Sequence, residues 1–150
     1  MPSSSWKRSL STEEESARFI GLLNQGLRLE YGYIIHYPWL AEGLKDREGR
    51  EYLLWLVRES MRHAGVITGI IAALGEEPEW GFEPRPQGSP YEVLKKLIEM
   101  EKLVHWLYRQ AAELAPQPAW REQLAGVSQD ELGHVQALEK VLARLATDEG

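Results

Sequence analysis

The chain contains no cysteine among its 150 residues. Without thiols it cannot form disulfides or cysteine-ligated zinc fingers, and it has no ligand for iron–sulfur clusters or rubredoxin-type iron centres. A thiolate nucleophile is excluded for the same reason. Any bound metal ion must therefore be held by histidine, aspartate or glutamate side chains.

An excess of positive charge and long apolar segments are also missing. The 17 basic and 23 acidic residues give a formal net charge of -6, which argues against binding to nucleic acid, because that binding needs a positive surface. The apolar runs are far shorter than the roughly 20 residues of a membrane span. Residues 1–11 contain no apolar stretch of the kind found in secretory signals. We therefore expect a cytoplasmic protein without membrane or nucleic-acid contacts.

Apolar residues recur at helical spacing along nearly the whole chain, and no segment alternates as a strand would. Helix start signals occur at Thr12, at Asp46 and at Ser89-Pro90, while Gly75 is a typical stop signal. The sequence therefore predicts an all-α fold in which residues 1–150 form a single domain. The predicted helices cover residues of about 12–43, 46–75, 89–115 and 118–146.

The connections between these helices differ in length. Two are short, whereas residues 76–88 contain three prolines and two glycines and predict a long crossover. Short, long and short connections are typical of two antiparallel helical hairpins joined into a four-helix bundle. A shift of 71 residues places the first hairpin on the second, so the two look like copies of one another. Examples of matching positions are Leu23 and Leu94, Glu30 and Glu101, Tyr37 and Tyr108, His63 and His134, and Leu74 and Leu145.

Each predicted helix carries polar groups in the middle of its apolar face. Glu131 and His134 interrupt the aliphatic face of the fourth helix, one turn apart, so both can reach the same ion or adjacent ions. Buried carboxylates that converge lose hydration and repel one another, and cations between them remove both penalties. This spacing predicts a metal site. The polar positions on the four core faces are Glu30, Ser60, His63, Glu101, His105, Glu131 and His134.

This pattern resembles the ferritin-like superfamily of di-iron and di-manganese carboxylate proteins, nearest to its rubrerythrin and erythrin-like members. The resemblance covers about residues 12–146, across all four helices. It implies a ferritin-like antiparallel bundle with a long crossover between the second and third helices. By resemblance, Glu30 and Glu101 would be lone terminal carboxylates and Glu131 a bridging carboxylate. The imidazole ligands would be His63 and His134.

The second helix departs from the family pattern, because Ser60 stands where the Glu-x-x-His motif ending at His63 requires glutamate. The neighbouring Glu59 points about 100° away around the helix and is expected outside the ligand set. Water or the Ser60 hydroxyl could fill the gap, His105 could act as a third imidazole, or only one metal ion could bind well. The sequence leaves these three possibilities open.

Oxygen and nitrogen ligands without sulfur suit iron or manganese, and zinc is also compatible. We expect two iron ions, with manganese or zinc as alternatives. The resemblance implies ferroxidase or peroxidase chemistry, with ferrous iron acting on dioxygen or peroxide. Electrons would come from stored ferrous ions or from a separate donor, since the rubredoxin cysteines are missing. The alternative is a ferritin-like scaffold with a degraded or single-metal site that serves as a structural or interaction module.

Several aromatic and imidazole residues raise questions beyond the metal site. The six tryptophans are too many for one bundle core, so some are predicted to cover an interface in a homo-oligomer such as a dimer. His36 lies off the core face and is predicted at the surface or in an interface. Tyr37 and Tyr108 are expected to be core aromatics with hydrogen-bonded hydroxyls, which could support the ligands, rather than redox participants.

Overall fold

The computed structural model describes residues 12–149, with side chains described up to residue 147. These residues form four long helices, which we number α1 (Thr12–Glu42), α2 (Arg47–Ala73), α3 (Pro90–Leu114) and α4 (Pro118–Glu149). No strand occurs in this part of the chain. The predicted all-α class is confirmed, and the helix ends fall within three residues of their predicted positions. Within the described range, no helix is both long and apolar enough to cross a membrane.

The helix ends reflect local chemistry at the predicted signals. Ser89 caps α3, since its hydroxyl oxygen accepts a hydrogen bond from a first-turn N–H at 3.3 Å, and Pro90 takes the first helical position, where no backbone donor is needed. Gly75 follows α2 with a φ of 79°, a left-handed conformation that favours glycine. Asp46 stands at the N-cap of α2 but makes no capping hydrogen bond. Its carboxylate instead pairs with Arg144 of α4 at 2.7 Å.

The helices pack as two hairpins, α1 with α2 and α3 with α4. Helices α1 and α3 also pack closely and join the hairpins, whereas α2 and α4 approach each other only sparsely. The non-helical segment 74–89 is the predicted crossover between the hairpins. Between α2 and α4, the rings of His63 and His134 stack with their centroids 5.8 Å apart. The bundle therefore brings the two predicted imidazole ligands together from different hairpins.

The core is mainly aliphatic, but nine of the residues whose side chains are described are polar and buried. Six of them are polar positions that the helical spacing predicted on the core faces, whereas His105, also predicted there, is only partly buried. Leu27 and Leu56 are buried on the same helix faces. The helical spacing did not predict the burial of the other three polar residues. The nine residues are Asn24, Glu30, His36, Ser60, His63, Glu101, Ser128, Glu131 and His134.

The crossover lies against α1 and buries His36, which is only 5% exposed. The Nε2 of His36 lies 2.7 Å from the backbone carbonyl oxygen of Glu83, to which it donates. The Asn24 side chain accepts a hydrogen bond from the backbone N–H of Glu79 at 3.0 Å, and Arg28 pairs with the Glu83 carboxylate. The prediction that His36 lies at the surface or in an interface was wrong, because helical periodicity does not show which loop covers the outer face of a helix.

Most of the described tryptophans are exposed. Trp120 is half-buried and stacks on Phe19, while Trp6 lies outside the described residues. This exposure agrees with the expectation that one bundle core cannot hold all six. The interface that they would cover stays a prediction. The exposed tryptophans are Trp39 (47%), Trp55 (38%), Trp80 (77%) and Trp106 (47%).

Candidate metal centre

All five predicted ligands meet in the core. Each of the four helices contributes at least one of them, so the cluster forms only when both hairpins pack together. None of the five is more than 5% exposed, which places the carboxylates and imidazoles away from bulk water. The ligand candidates are Glu30 on α1, His63 on α2, Glu101 on α3, and Glu131 and His134 on α4.

One part of the cluster is built around His63, and we call it the His63 half. The Nδ1 atom of His63 lies 2.9 Å from Oε1 of Glu131 and 3.2 Å from Oε2 of Glu30. Each of these three residues offers one ligand atom within 4.8 Å of the other two. Side chains from α1, α2 and α4 could therefore hold a single cation between them.

The other part, the His134 half, contains Glu101, Glu131 and His134, again with ligand atoms within 4.8 Å of one another. The Nδ1 atom of His134 lies 3.6 Å from Oε2 of Glu131 and 3.9 Å from Oε2 of Glu101. Glu131 thus turns one oxygen to each histidine. A carboxylate between two such groups can serve a cation in either half.

Two tyrosines support the terminal carboxylates across the contact between α1 and α3. The hydroxyl of Tyr37 donates to Oε1 of Glu101 at 2.8 Å, and the hydroxyl of Tyr108 donates to Oε2 of Glu30 at 3.3 Å. Tyr108 can approach α1 because Gly26 has no Cβ, which would collide with the tyrosine ring. Both hydroxyls are hydrogen-bonded in the core, as expected from the sequence, and each orients one glutamate.

Several oxygens of the cluster lack a hydrogen-bond partner. Leaving a buried polar atom unpaired costs about 1 to 3 kcal/mol, and native structures contain few such atoms. Their concentration here fits a site whose partner is a cation, since carboxylate oxygens are ligands that iron and manganese accept. Tyr33 had not been identified from the sequence, although it follows Glu30 by one helical turn. The unpaired atoms are Oε1 of Glu30, Oε2 of Glu101, Oε2 of Glu131 and the hydroxyl of Tyr33.

Burial shapes the protonation of the cluster. It raises the pKa of Glu30 despite the opposing effect of His63, and it raises the pKa of Glu101 well above its usual value, with the charge of Glu131 adding to the shift. Burial alone would lower the pKa of His63, but Glu131 and Glu30 outweigh it and raise that pKa to about 10. The pKa of His134 rises to about 9 for the same kind of reason, through Glu101 and Glu131. Protons on the two imidazoles therefore supply positive charge to the metal-free cluster at neutral pH.

A second set of charged side chains lies on the outer side of the imidazoles, and we call Glu59, Arg62 and Asp130 the outer group. Nη2 of Arg62 lies 3.1 Å from Glu59 Oε1 and 2.8 Å from Asp130 Oδ2. Asp130 Oδ2 is 3.2 Å from Nε2 of His63, and Glu59 Oε1 is 3.9 Å from Nε2 of His134. Each imidazole therefore turns Nδ1 to the inner carboxylates and Nε2 to an outer one.

The sequence predicted Glu59 outside the ligand set and indicated no role at the site for Arg62 or Asp130. The three-residue spacing of Glu59 and Arg62 on α2 was a readable signal for an ion pair on one helix face. The approach of Asp130 from α4 had no such signal, because it depends on how closely α2 and α4 pack. The outer group therefore emerges only from the tertiary structure.

The structure also bears on the gap left at Ser60. This residue is buried, at 4% exposure, one turn before His63 on the core side of α2. His105 turns elsewhere: its Nδ1 lies 2.8 Å from both the carbonyl oxygen and the hydroxyl of Ser128 on α4. The geometry therefore does not support His105 as a third imidazole. The other two possibilities, a water or hydroxyl in the gap or a single well-bound ion, stay open.

The fold and the cluster together define a class of protein: a four-helix bundle with carboxylates and imidazoles gathered in its core. The ferritin-like domain family matches residues 20–147. The chain belongs to this family. No curated protein matches the chain with significant sequence similarity.

Several solved structures share this fold. A ferritin-like, diiron-carboxylate protein from Bacillus anthracis is 21% identical, with a TM-score of 0.79 over 89% of this chain and 99% of that chain. Desulfovibrio desulfuricans bacterioferritin is 18% identical, with a TM-score of 0.76 over 92% of this chain and 85% of that chain. A manganese catalase from Anabaena PCC7120 is 16% identical, with a TM-score of 0.72 over 86% and 73%. At these identities, the likeness establishes the fold.

Proposed function

We propose that the chain binds two divalent metal ions, iron or manganese, at its candidate metal centre. The observation that carries this proposal is the group of buried, unpaired carboxylate oxygens beside two imidazoles. Cations would pair these oxygens and offset their mutual repulsion together. Zinc could occupy the same ligands. The proposed ligands are Glu30, His63, Glu101, Glu131 and His134.

We further propose that the protein is an oxidoreductase of the rubrerythrin-like type that acts on dioxygen or peroxide. Support comes from structures of the same fold, which include a manganese catalase and a bacterioferritin with a diiron site in different catalytic states. Bound iron would supply the redox chemistry for such substrates. Electrons would come from a separate donor or from the ferrous ions themselves, because the chain has no cysteine for a rubredoxin-type centre.

The residues of the chain would hold and orient the ligands of this centre. Glu131 would bridge the two ions, since its oxygens face different histidines. Tyr37 and Tyr108 would hold the terminal carboxylates by donating hydrogen bonds to them. The Nε2–H of His63 would donate to Asp130, which leaves Nδ1 free to bind an ion. The surrounding aliphatic core would restrict the access of water.

The direct test is anaerobic loading of the metal-free protein with ferrous iron, followed by metal analysis and a dioxygen or peroxide challenge monitored by absorption. We expect nearly two irons per chain and rapid oxidation. A Glu131→Gln variant should hold less iron, whereas Glu122→Gln, at an exposed position of the same helix, should behave like the wild type. Equal iron content in the wild type and Glu131→Gln would contradict metal binding at this centre.

One observation favours a second candidate function. Ser60 provides no carboxylate at the position that repeats Glu131, so the chain could be a ferritin-like scaffold with a degraded or single-metal site that acts as an interaction module. In that case Glu131→Ala or His134→Ala would leave the stability unchanged or higher, because buried polar groups would be removed. A count of one metal per chain would favour the single-metal form.

We also propose that the protein forms a homo-oligomer such as a dimer. Four of its tryptophans expose between 38% and 77% of their surface, and aromatic residues are enriched at protein interfaces. Light scattering coupled to size-exclusion chromatography measures the mass directly. A monomeric mass would contradict this proposal.

A further inference from the structure

The 71-residue repeat is broken on the outer side of the imidazoles. Arg62 of α2 corresponds to Gly133 of α4, so only the first hairpin places a cation there. The guanidinium connects the two hairpins, because it pairs with Glu59 on its own helix and with Asp130 on α4. Its side chain is 52% exposed. Arg62 is therefore a fixed positive charge at the solvent edge of the candidate metal centre.

This charge acts unequally on the two halves. Nη2 of Arg62 lies 3.3 Å from Nε2 of His63, which is direct contact with one ligand candidate. On the side of His134, the carboxylate of Glu59 intervenes, 3.1 Å from the guanidinium and 3.9 Å from Nε2 of His134. Coulomb repulsion weakens with distance and with an intervening opposite charge. Asp130 offsets part of this charge on the side of His63, 2.8 Å from the guanidinium. Because Arg62 is itself in direct contact with His63, an ion in the His63 half would still be repelled more strongly by this charge.

The outer neighbours of the two imidazoles also differ in hydrogen bonding. A histidine that binds an ion through Nδ1 carries its remaining proton on Nε2. The Nε2 proton of His63 would lie near two groups. The Asp130 carboxylate would accept it, whereas the N–H groups of Arg62 would repel it. For His134, the outer neighbours are the Glu59 carboxylate and the ring of Trp55, in an edge arrangement at 5.6 Å. Arg62 therefore opposes the ion-binding form of His63, which Asp130 supports, whereas, among the described residues, no cation is in contact with Nε2 of His134.

The total charge around the centre still suits two divalent ions. The three inner carboxylates carry three negative charges when ionised, and the outer group, with two carboxylates and one guanidinium, carries one more. Four negative charges would balance two divalent cations. The fourth charge, however, lies beyond the imidazoles, so it attracts an ion more weakly than a coordinating carboxylate at position 60 would.

We propose that Arg62 makes the two metal positions unequal, with a tightly held ion in the His134 half and an exchangeable ion in the His63 half. This inference rests on the proposed binding of two ions. Arg62 acts through His63 and the outer carboxylates, so it is a positioning and affinity-setting residue rather than a ligand. The exchangeable position is the one that a metal ion from solution would enter and leave.

The test is an anaerobic titration of the metal-free protein with Mn²⁺, in which electron paramagnetic resonance measures the free ion. The wild type should show two binding steps that differ in affinity by about tenfold or more. In Arg62→Ala the weaker step should tighten by about tenfold, while the tighter step changes little. Arg62→Lys keeps the positive charge on which the repulsion depends, and it should keep the wild-type gap.

Two further variants keep the result interpretable. Arg50→Ala removes the same charge from an exposed position of α2 and should leave both steps unchanged. If Arg62→Ala does not fold, Arg62→Gln removes the charge while keeping a hydrogen-bond donor. The proposed role of Arg62 would be overturned by two equal binding steps in the wild type, or by a weaker step that neither Arg62→Ala nor Arg62→Gln tightens. Either result would leave the metal-binding proposal intact. No Mn²⁺ or ferrous-iron binding by the wild type would overturn the metal-binding proposal instead.

Discussion

The two halves of the candidate centre come from equivalent positions of the repeat, yet their histidines have different surroundings. His63 is in hydrogen-bonding range of Glu131 on its inner side and of Asp130 on its outer side. His134 stands 3.6 Å or more from the nearest carboxylate oxygens on both sides. His63 is therefore in direct contact with carboxylates on both sides, whereas His134 lies further from its neighbouring carboxylates.

The comparison shows which features of a repeated hairpin are constrained by packing. Matching positions such as Glu30 and Glu101 keep their residue type and are buried in both copies. The copies differ at two corresponding positions. Ser60 in the first hairpin corresponds to Glu131 in the second, and Arg62 corresponds to Gly133. Packing tolerates these substitutions because the first is small and the second lies at the solvent edge. They change charge, and charge governs the binding of cations.

The largest effect is expected from replacing Glu131, the carboxylate that both halves share. Glu131→Gln should lower the affinity for both ions by at least about 100-fold, because removal of even a supporting partner commonly costs 10- to 100-fold. Isothermal titration with Mn²⁺ measures both steps. Glu122→Gln, exposed on the same helix, is the matched control. A loss in only one step would show that Glu131 does not bridge.

Raising the pH should destabilise the metal-free protein. The folded-state pKa of His63, about 10, lies above its unfolded value, so its contribution to stability is complete below about pH 6.5 and is lost as pH rises towards 10. Between pH 6.5 and 8 the loss should be roughly 2 kcal/mol per imidazole. Urea unfolding with a chelator present measures this slope.

Histidine variants then separate the two halves in this pH experiment. The pKa of His134 is about 9, so the decline between pH 9 and 10 should depend mainly on His63. His63→Gln should flatten that part of the profile, and His134→Gln should leave it. Saturating metal should also flatten the slope, because ions bind deprotonated imidazoles. A profile that does not change in His63→Gln would show that this residue does not hold the extra proton.

Ser60→Glu should make the two copies more alike. A fourth inner carboxylate should tighten metal binding by about tenfold, while the metal-free protein should lose about 1 to 3 kcal/mol, because another buried charged group lacks a partner. Paired unfolding curves with and without metal measure both effects. Ser60→Gln adds a similar volume without charge and should not tighten binding. If Ser60→Glu and Ser60→Gln behave alike, the size of the new side chain and not its charge causes the change.

The smallest expected effects concern the two tyrosines. Tyr37→Phe and Tyr108→Phe each remove one buried hydrogen bond, worth about 1 kcal/mol of unfolding free energy. Tyr37→Phe should cost more, because its bond to Glu101 is 2.8 Å long, against 3.3 Å for the bond from Tyr108 to Glu30. Chemical denaturation of the metal-free variants measures the difference. A larger loss in Tyr108→Phe would reverse the assigned order.

Much of the fold was predictable because helical periodicity decides which side chains face inward. The same period brought Glu30, His63, Glu101, Glu131 and His134 to the core, where the structure places them together. Whether they bind ions stays a prediction. Periodicity failed for His36, which a loop covers, and it did not separate Tyr33 from ordinary core aromatics.

The four helices, their order in hairpins and most polar residues of the core can be read from the sequence, because they depend on local spacing and on a repeat that is visible along the chain. Two contacts come from the packing of the helices instead: Arg62 meets Asp130 beside His63, and His105 turns to Ser128. Those contacts depend on the separation of α2 and α4 and of α3 and α4. Such separations follow from the packing of the whole bundle, and no local pattern records them.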